Sequence, residues 1–272
     1  MIKHLEFTKM VASGNDFVVI ENDQSLKKDD LQSLAREVCD RKFGAGADGL
    51  LVLEKSIVAD VKMRIFNADG SEAEMCGNGA RCVACWISTS RKIKNGELKI
   101  ETKAGLIESE IINDNISVKL TDPRSVKLNI LLDLEGRKLY VNFINTGVPH
   151  AVIFVEGLDK IDVEGIGRKI RSHEQFSPAG TNVNFIELIN ENSLRIRTYE
   201  RGVENETLAC GTGSVAAALI FAMKTDAVEK IFVHTQSKEV VAVYFDRAGD
   251  VFKNVWLEGK ARVVFQGQFG SL

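Results

Sequence analysis

The apolar and polar pattern along most of this chain reads as short strands, broken by a few helical runs. Residues 7–20 read as a hairpin turning at Ser13-Gly14-Asn15-Asp16, and 49–53 and 61–66 read as strands. Between them, Asp29 or Asp30 is placed to cap a helix running to about residue 42 and stopped by Gly44. Asn67-Ala68-Asp69-Gly70 is a turn, and a helix of small and apolar residues follows Cys76 to about residue 91. Strands are expected at 98–102, 106–112 and 116–120, with Asn113-Asp114-Asn115 turning between the last two. Thr121-Asp122-Pro123 marks the switch to a second half. That half has strands at 126–132, 138–144 and 151–155, a helix near 163–172, and a hairpin at 184–189 and 194–199. A second small-residue helix follows Cys210 to about residue 223, and the tail is rich in strands.

Both helices after the cysteines are apolar on most faces, which requires burial. Each half is therefore expected to wrap its own sheet around one helix, an α+β architecture built twice. The expected division is 1–122, together with a C-terminal strand at about 264–272, against 123–263.

The repeat itself carries chemistry. Cys76-Gly77-Asn78-Gly79 and Cys210-Gly211-Thr212-Gly213 lie 134 positions apart, one in each half. A helix start leaves backbone N–H groups unpaired and carries a partial positive charge. Glycines let a ligand approach that backbone, so such a terminus suits a carboxylate. It also biases a thiol toward thiolate. Two such motifs facing one substrate would share its carboxylate and set a sulfur on each face of the α-carbon. The helix end is worth about 0.3–1 kcal/mol, up to ~2 when partly buried. With about 1.4 kcal/mol per pKa unit, it lowers a thiol by roughly one unit at most, so each sulfur needs a further partner. The plainer reading of one such motif is a buried cysteine beside a helix-start glycine; the duplication is what favours a paired site.

Bulk composition narrows the alternatives. Lys plus Arg is 35, Asp plus Glu is 38 and the net charge is −3, so no basic footprint for nucleic acid is present. At 44% apolar and 27% charged, the chain resembles an ordinary soluble protein, and its apolar runs fall short of a membrane span. Five cysteines at no disulfide-framework spacing point to a reducing compartment. The opening Met1-Ile2-Lys3-His4-Leu5-Glu6 does not read as a signal or transit segment, so a cytoplasmic location is expected. Cys82 and Cys85 form a Cys-x-x-Cys with no second ligand pair, and with Cys39 they read as core; no metal or cofactor motif is evident.

Longer blocks around the two motifs resemble the diaminopimelate epimerase family. They run from Asn67 through Asn78 to Cys82, and from Tyr199 through Glu200-Arg201 to Gly213. Gly14-Asn15-Asp16-Phe17 and Gly147-Val148-Pro149-His150 also look like family blocks, so the resemblance extends from about residue 7 to the end. It implies a cofactor-independent, two-base epimerase interconverting L,L- and meso-diaminopimelate on the route to lysine and peptidoglycan. It implies Cys76 and Cys210 as the acid–base pair. Gly77, Asn78, Gly211 and Thr212 would bind the reacting end. Asn15, Asn67, Asn182 and Arg201 would bind the substrate, the last three mainly at its distal end. His150 and Glu200 would tune the sulfurs, with Glu200 also against the substrate. The implied fold is two similar domains, each a curved, mostly antiparallel sheet around a central helix, commonly in a homodimer.

Single residues also have bland readings. Arg201 offers a planar fork suited to a carboxylate, or a surface ion pair with a neighbouring glutamate. Asn15, Asn67 and Asn182 suit a ligand or a turn or cap, and His150 after a proline suits a structural role. A carboxylate near a thiol raises its pKa, so Glu200 fits the thiol-form partner or a relay. The chain has Gly49 and Val148 where some relatives carry glutamine and asparagine, which reads as a subtype. A two-cysteine racemase of another amino acid, such as histidine or proline, is the nearest alternative; a thiol redox sensor and a plain carboxylate-binding module come from other classes.

Overall fold

The computed structural model describes residues 5–23, 25–225 and 229–270. The opening segment at 1–4, and the last two positions of the strand expected at 264–272, lie outside the described residues. The chain splits into two compact units, Met1–Lys119 with Gly259–Leu272, and Leu120–Glu258.

The first unit is one mixed sheet. β1 (Leu5–Ala12) pairs antiparallel with β2 (Asn15–Glu21), and β2 runs parallel to β3 (Gly49–Glu54). β4 (Val61–Asn67) pairs antiparallel with β3 and with the short β5 (Glu72–Ala73), and parallel with β6 (Asn95–Thr102). β7 (Gly105–Ile112) and β8 (Asn115–Lys119) continue as an antiparallel meander. β18 (Arg262–Phe269) joins the other side of β1. The parallel β2–β3 pair needs a crossover, supplied by α1 (Lys28–Cys39), which packs on β3 and β4. α2 (Gly77–Arg91) packs against β1, β2, β3, β4, β7, β8 and β18. A helix that touches strands from both ends of one sheet is wrapped by it.

The second unit repeats this order. β9 (Arg124–Leu134), β10 (Arg137–Asn145) and β11 (Pro149–Phe154) pair antiparallel in sequence, as β18, β1 and β2 do. β11 runs parallel to β12 (Asn182–Asn190) across α3 (Val163–Arg171). β13 (Ser193–Glu200) pairs with β12, with β14 (Asn205–Thr207), and parallel with β15 (Lys230–His234). β16 (Val240–Ala248) and β17 (Val251–Gly259) close the meander. α4 (Gly211–Thr225) packs against β10, β11, β12, β13, β15 and β16. The α+β architecture expected from the sequence is the one observed.

Burial explains the composition of α4. Its residues from Gly213 to Ala222 are all buried, so alanine and glycine are needed where strands press on every side. Val215, Leu219, Ile220 and Phe221 are fully inaccessible. At about 1.5–3 kcal/mol each they stabilise the unit by on the order of 6–12 kcal/mol as an upper estimate.

α1 departs from the sequence expectation at both ends. Asp30 is not the cap but the third helical residue, and its carboxylate accepts the Lys27 backbone N–H at 2.9 Å. The helix ends at Cys39, short of Gly44, because the Asp40 side chain accepts the N–H groups of Lys42 and Phe43, both at 2.7 Å. Those amides are thereby withdrawn from helical pairing. No helix among the described residues is long and apolar enough to cross a membrane, which says nothing of a crossing built from strands.

Candidate active site

Each unit presents a cysteine at the start of its central helix. Cys76 is the N-cap of α2, in extended conformation, and its Sγ accepts the Gly79 N–H at 3.4 Å. The Ala80 N–H donates to the Cys76 carbonyl, and the Ser214 N–H to the Cys210 carbonyl, both at 2.8 Å. The first helical bond therefore closes on the cysteine in both halves, and the glycines at 77 and 211 begin both helices. Cys76 is half-buried and Cys210 is 8% exposed.

What holds the two helix starts is different. In the first unit a directed chain of hydrogen bonds runs away from the helix. Buried Arg81 donates through Nη2 to Asn78 Oδ1 (2.5 Å) and to Ser13 Oγ (2.8 Å). Asn78 Nδ2 donates to Asn15 Oδ1 (2.5 Å), and Asn15 Nδ2 to Asp48 Oδ2 (3.1 Å). Asp48 and Asp16 both pair with Arg41, at 2.7 and 2.9 Å. Asp16 also pairs with the buried Lys9 ammonium at 2.7 Å, and Lys9 donates to the Gly46 carbonyl. Burial pushes the Asp16 carboxyl up, but hydrogen bonds from Arg41 and Lys9 outweigh it and hold it below its ordinary 3.8. Asn15 is thus tied to both the Cys76 helix and the loop before β3.

In the second unit the network runs through a histidine. His150 is wholly buried; its Nε2 lies 3.0 Å from Thr212 Oγ1 and its Nδ1 3.1 Å from Asn184 Nδ2. Thr212 Oγ1 lies 3.5 Å from Cys210 Sγ, and the Thr212 carbonyl accepts from Thr146 Oγ1 at 3.0 Å. His150 therefore reaches the sulfur through one hydroxyl rather than by touching it. Burial, and then the positive charge of Arg201, push the His150 pKa down from 6.5 to about 3, so the ring is neutral.

The remaining sequence candidates fall into place as follows. Asn182 is buried; its Oδ1 accepts the Arg201 backbone N–H at 2.9 Å and its Nδ2 donates to the Pro149 carbonyl at 3.1 Å. It thereby sets the backbone of the two flanking candidates, His150 and Arg201. Arg201 Nη1 donates to the Ala179 carbonyl at 2.9 Å. Among the described residues no carboxylate lies within ion-pair distance of Arg201: Glu204 pairs with Arg171 at 2.8 Å and Glu206 with Arg197 at 2.7 Å. Glu200 accepts the Thr207 hydroxyl at 3.0 Å. Asn67 is exposed and makes the turn itself, with Nδ2 on Ser71 Oγ at 3.0 Å. A Cβ on Gly49 would sit 2.9 Å from the Phe66 carbonyl oxygen, so the strand admits only glycine there without a shift.

Cys39 is buried, which pushes its thiol up to about 12, and burial likewise raises Cys85, whose Sγ donates to the Ala261 carbonyl at 3.3 Å. Cys82 is fully buried in α2. Among the described residues no group of three or more His, Cys, Asp or Glu is placed to hold a metal ion.

Sequence reasoning misses Asn184, Thr198, Asp48 and Arg81. The first had a signal: Asn182 and Asn184 alternate with Val183 and Phe185 at the start of β12, so two amides face the same way. Arg81 had one too, as a cation in the middle of the small and apolar run that opens α2.

The fold has known counterparts. The crystal structure of a PhzF-family phenazine biosynthesis protein from Bacillus anthracis superposes with a TM-score of 0.77 at 18% identity, covering 98% of this chain and 99% of that one. A hydroxyproline epimerase from Agrobacterium vitis gives 0.71 at 16%, covering 99% and 93%. The α+β fold is therefore of the class to which these two structures belong. Within that class the sequence is more specific. The diaminopimelate epimerase pattern matches residues 7–126 and 142–264. The diaminopimelate epimerase of Aquifex aeolicus is 41% identical, with 98% of each chain covered. That of Methanocella arvoryzae is 39% identical, covering 97% of this chain and 96% of its own. The chain belongs to the diaminopimelate epimerase family and is an isomerase.

Proposed function

We propose that the protein interconverts L,L- and meso-diaminopimelate with Cys76 and Cys210 as paired acid and base. The observation that carries this reading is the duplicated helix start, each opening on a cysteine and a Gly-x-Gly turn. The substrate α-carboxylate binds at the unpaired amides of Gly77, Asn78, Gly211 and Thr212. One sulfur, as thiolate, removes the α-proton; the other, as thiol, delivers a proton to the opposite face. The carbanion that forms between these steps is stabilised by the helix-start donors, and placement supplies the rest. Arg201, with no carboxylate partner among the described residues, supports a substrate with a second carboxylate, and Asn67 and Asn182 stand with it in this role. His150 and Glu200 are assigned to tuning the sulfurs. The homodimeric state and cytoplasmic setting belong to the same proposal.

The test is proton NMR of L,L-diaminopimelate with the reduced protein in D2O. Loss of the α-proton signal with appearance of the meso isomer supports the reading. Exchange with histidine or proline, and none with diaminopimelate, moves the protein to another substrate.

A further inference from the structure

We propose that Asn184 is a positioning residue that holds His150 as the Nε2–H tautomer and so commits the Thr212 hydroxyl hydrogen to the Cys210 sulfur. This rests on the reading of Cys210 as an acid–base group.

The direction of every hydrogen bond in this network follows from one fixed point. Asn184 is fully buried, and its Nδ2 lies 3.1 Å from the Ala151 carbonyl oxygen, which can only accept. The amide nitrogen must therefore face that carbonyl. The amide oxygen then points to Thr198 Oγ1 at 3.0 Å, and Thr198, opposite Asn184 in the β12–β13 ladder, donates to it. The second hydrogen of Nδ2 is directed at His150 Nδ1, 3.1 Å away, so that nitrogen accepts and carries no proton. A neutral ring then bears its proton on Nε2, which donates to Thr212 Oγ1 at 3.0 Å. The Thr212 oxygen is occupied as an acceptor, and its own hydrogen is left for Cys210 Sγ at 3.5 Å. A donor aimed at the sulfur favours the thiolate.

The first unit places different residues at the corresponding position. In β3, the counterpart of β12, the residue against the helix-start glycine is Leu51: a Cβ on Gly79 would meet Leu51 Cδ2 at 3.1 Å and Ile65 Cδ1 at 3.7 Å. In the second unit a Cβ on Gly213 would meet Asn184 Oδ1 at 2.5 Å. Leu51 pairs with Ile65, and Asn184 with Thr198. An apolar backing in one half and a polar one in the other give the two sulfurs unlike surroundings in a repeated fold, which suits a reaction that starts with one thiolate and one thiol.

The experiment is nitrogen-15 NMR of histidine-labelled protein at neutral pH, with His150 assigned by its loss in His150→Gln, followed by iodoacetamide alkylation of Cys210 read by peptide mass. The expected result is the Nε2–H tautomer in the native protein; the Nδ1–H form or an imidazolium overturns the proposal. Asn184→Asp, which can only accept from the ring, is expected to reverse the tautomer and slow Cys210 alkylation about tenfold. Thr212→Val alone should slow it equally, and adding Asn184→Asp to Thr212→Val should slow it no further. Unchanged alkylation in Asn184→Asp or Thr212→Val, or a further slowing in the double variant, overturns the proposal. If Asn184→Asp fails to fold, the native tautomer and Thr212→Val decide the matter. Failure of the two-thiol reading is seen separately, as turnover retained by Cys210→Ala, with the tautomer unaffected.

Discussion

Gly213 and Asn184 stand so close that a β-carbon on the glycine would lie 2.5 Å from the Asn184 amide oxygen, and 3.3 Å from Cys210 Sγ. A β-carbon on Gly79, at the same place in the other half, would meet the tip of Leu51 at 3.1 Å, with Cys76 Cβ at 3.5 Å and the tip of Ile65 at 3.7 Å. The two substitutions to alanine should therefore diverge. Gly213→Ala has a buried, hydrogen-bonded amide to displace and is expected to destabilise the protein by about 1–3 kcal/mol and to lower turnover sharply. Gly79→Ala can be absorbed by rotation of Leu51 and gains up to about 1 kcal/mol of helix propensity, so stability should change little. Thermal melts and turnover of both variants check this; equal loss in the two would show that the Asn184 contact does not matter.

Cys76→Ala and Cys210→Ala are each expected to reduce epimerisation by at least about a thousandfold, since proton transfer by a positioned group contributes roughly 10²–10⁴. Circular dichroism should show both variants folded, because each sulfur stands at the start of its helix rather than inside it. Near-normal turnover in either variant would end the two-thiol mechanism.

Arg201 tests distal recognition. Among the described residues its guanidinium has only the Ala179 carbonyl as a hydrogen-bond partner, so it has donors to spare for a carboxylate. Arg201→Lys keeps the charge but loses the fork, and KM for diaminopimelate should rise about tenfold or more, equivalent to at least ~1.4 kcal/mol. Initial-rate kinetics decide it; an unchanged KM would remove Arg201 from the substrate site.

His150 should leave a mark on acid stability. In the folded state its pKa is pushed from 6.5 to about 3, first by burial and then by Arg201. Between those values the unfolded chain takes up a proton that the folded chain refuses, so stability present above pH 6.5 is lost as pH falls toward 3. Glu72 and Asp16 are held below their ordinary 4.5 and 3.8, so the stability they contribute fades only in more acid solution. The window from 6.5 to 4.5 therefore reports on His150, with an expected loss of about 2–3 kcal/mol. Urea unfolding at a series of pH values should show this loss in the native protein and its absence in His150→Gln. An equal slope in both would show that the histidine is charged or exposed when folded.

Much of this molecule is written locally. The hairpin at Ser13-Gly14 and the two Cys-Gly helix starts depend on backbone rules that act over a few residues, so the chain declares them. The all-round apolar character of residues 215–222 requires a helix buried by strands, and its repetition after Cys76 requires that this happen twice. From these the α+β class and the twofold repeat follow without coordinates. Even the end of α1 obeys local chemistry, through Asp40 rather than the expected Gly44.

What supports each helix start is decided elsewhere. Asn15 meets Asn78 across 63 residues, His150 meets Thr212 across 62, and Asn184 meets His150 across 34. No local preference encodes such pairs. They arise because the parallel β11–β12 ladder puts His150 level with Asn182 and carries Asn184 two residues further along the same face. The sequence by itself determined that two thiols open two buried helices. The register of distant strands decided that Cys210 is backed by an amide, an imidazole and a hydroxyl and Cys76 by a different set of side chains, because buried polar groups must find partners and only the assembled sheet brings those partners within reach.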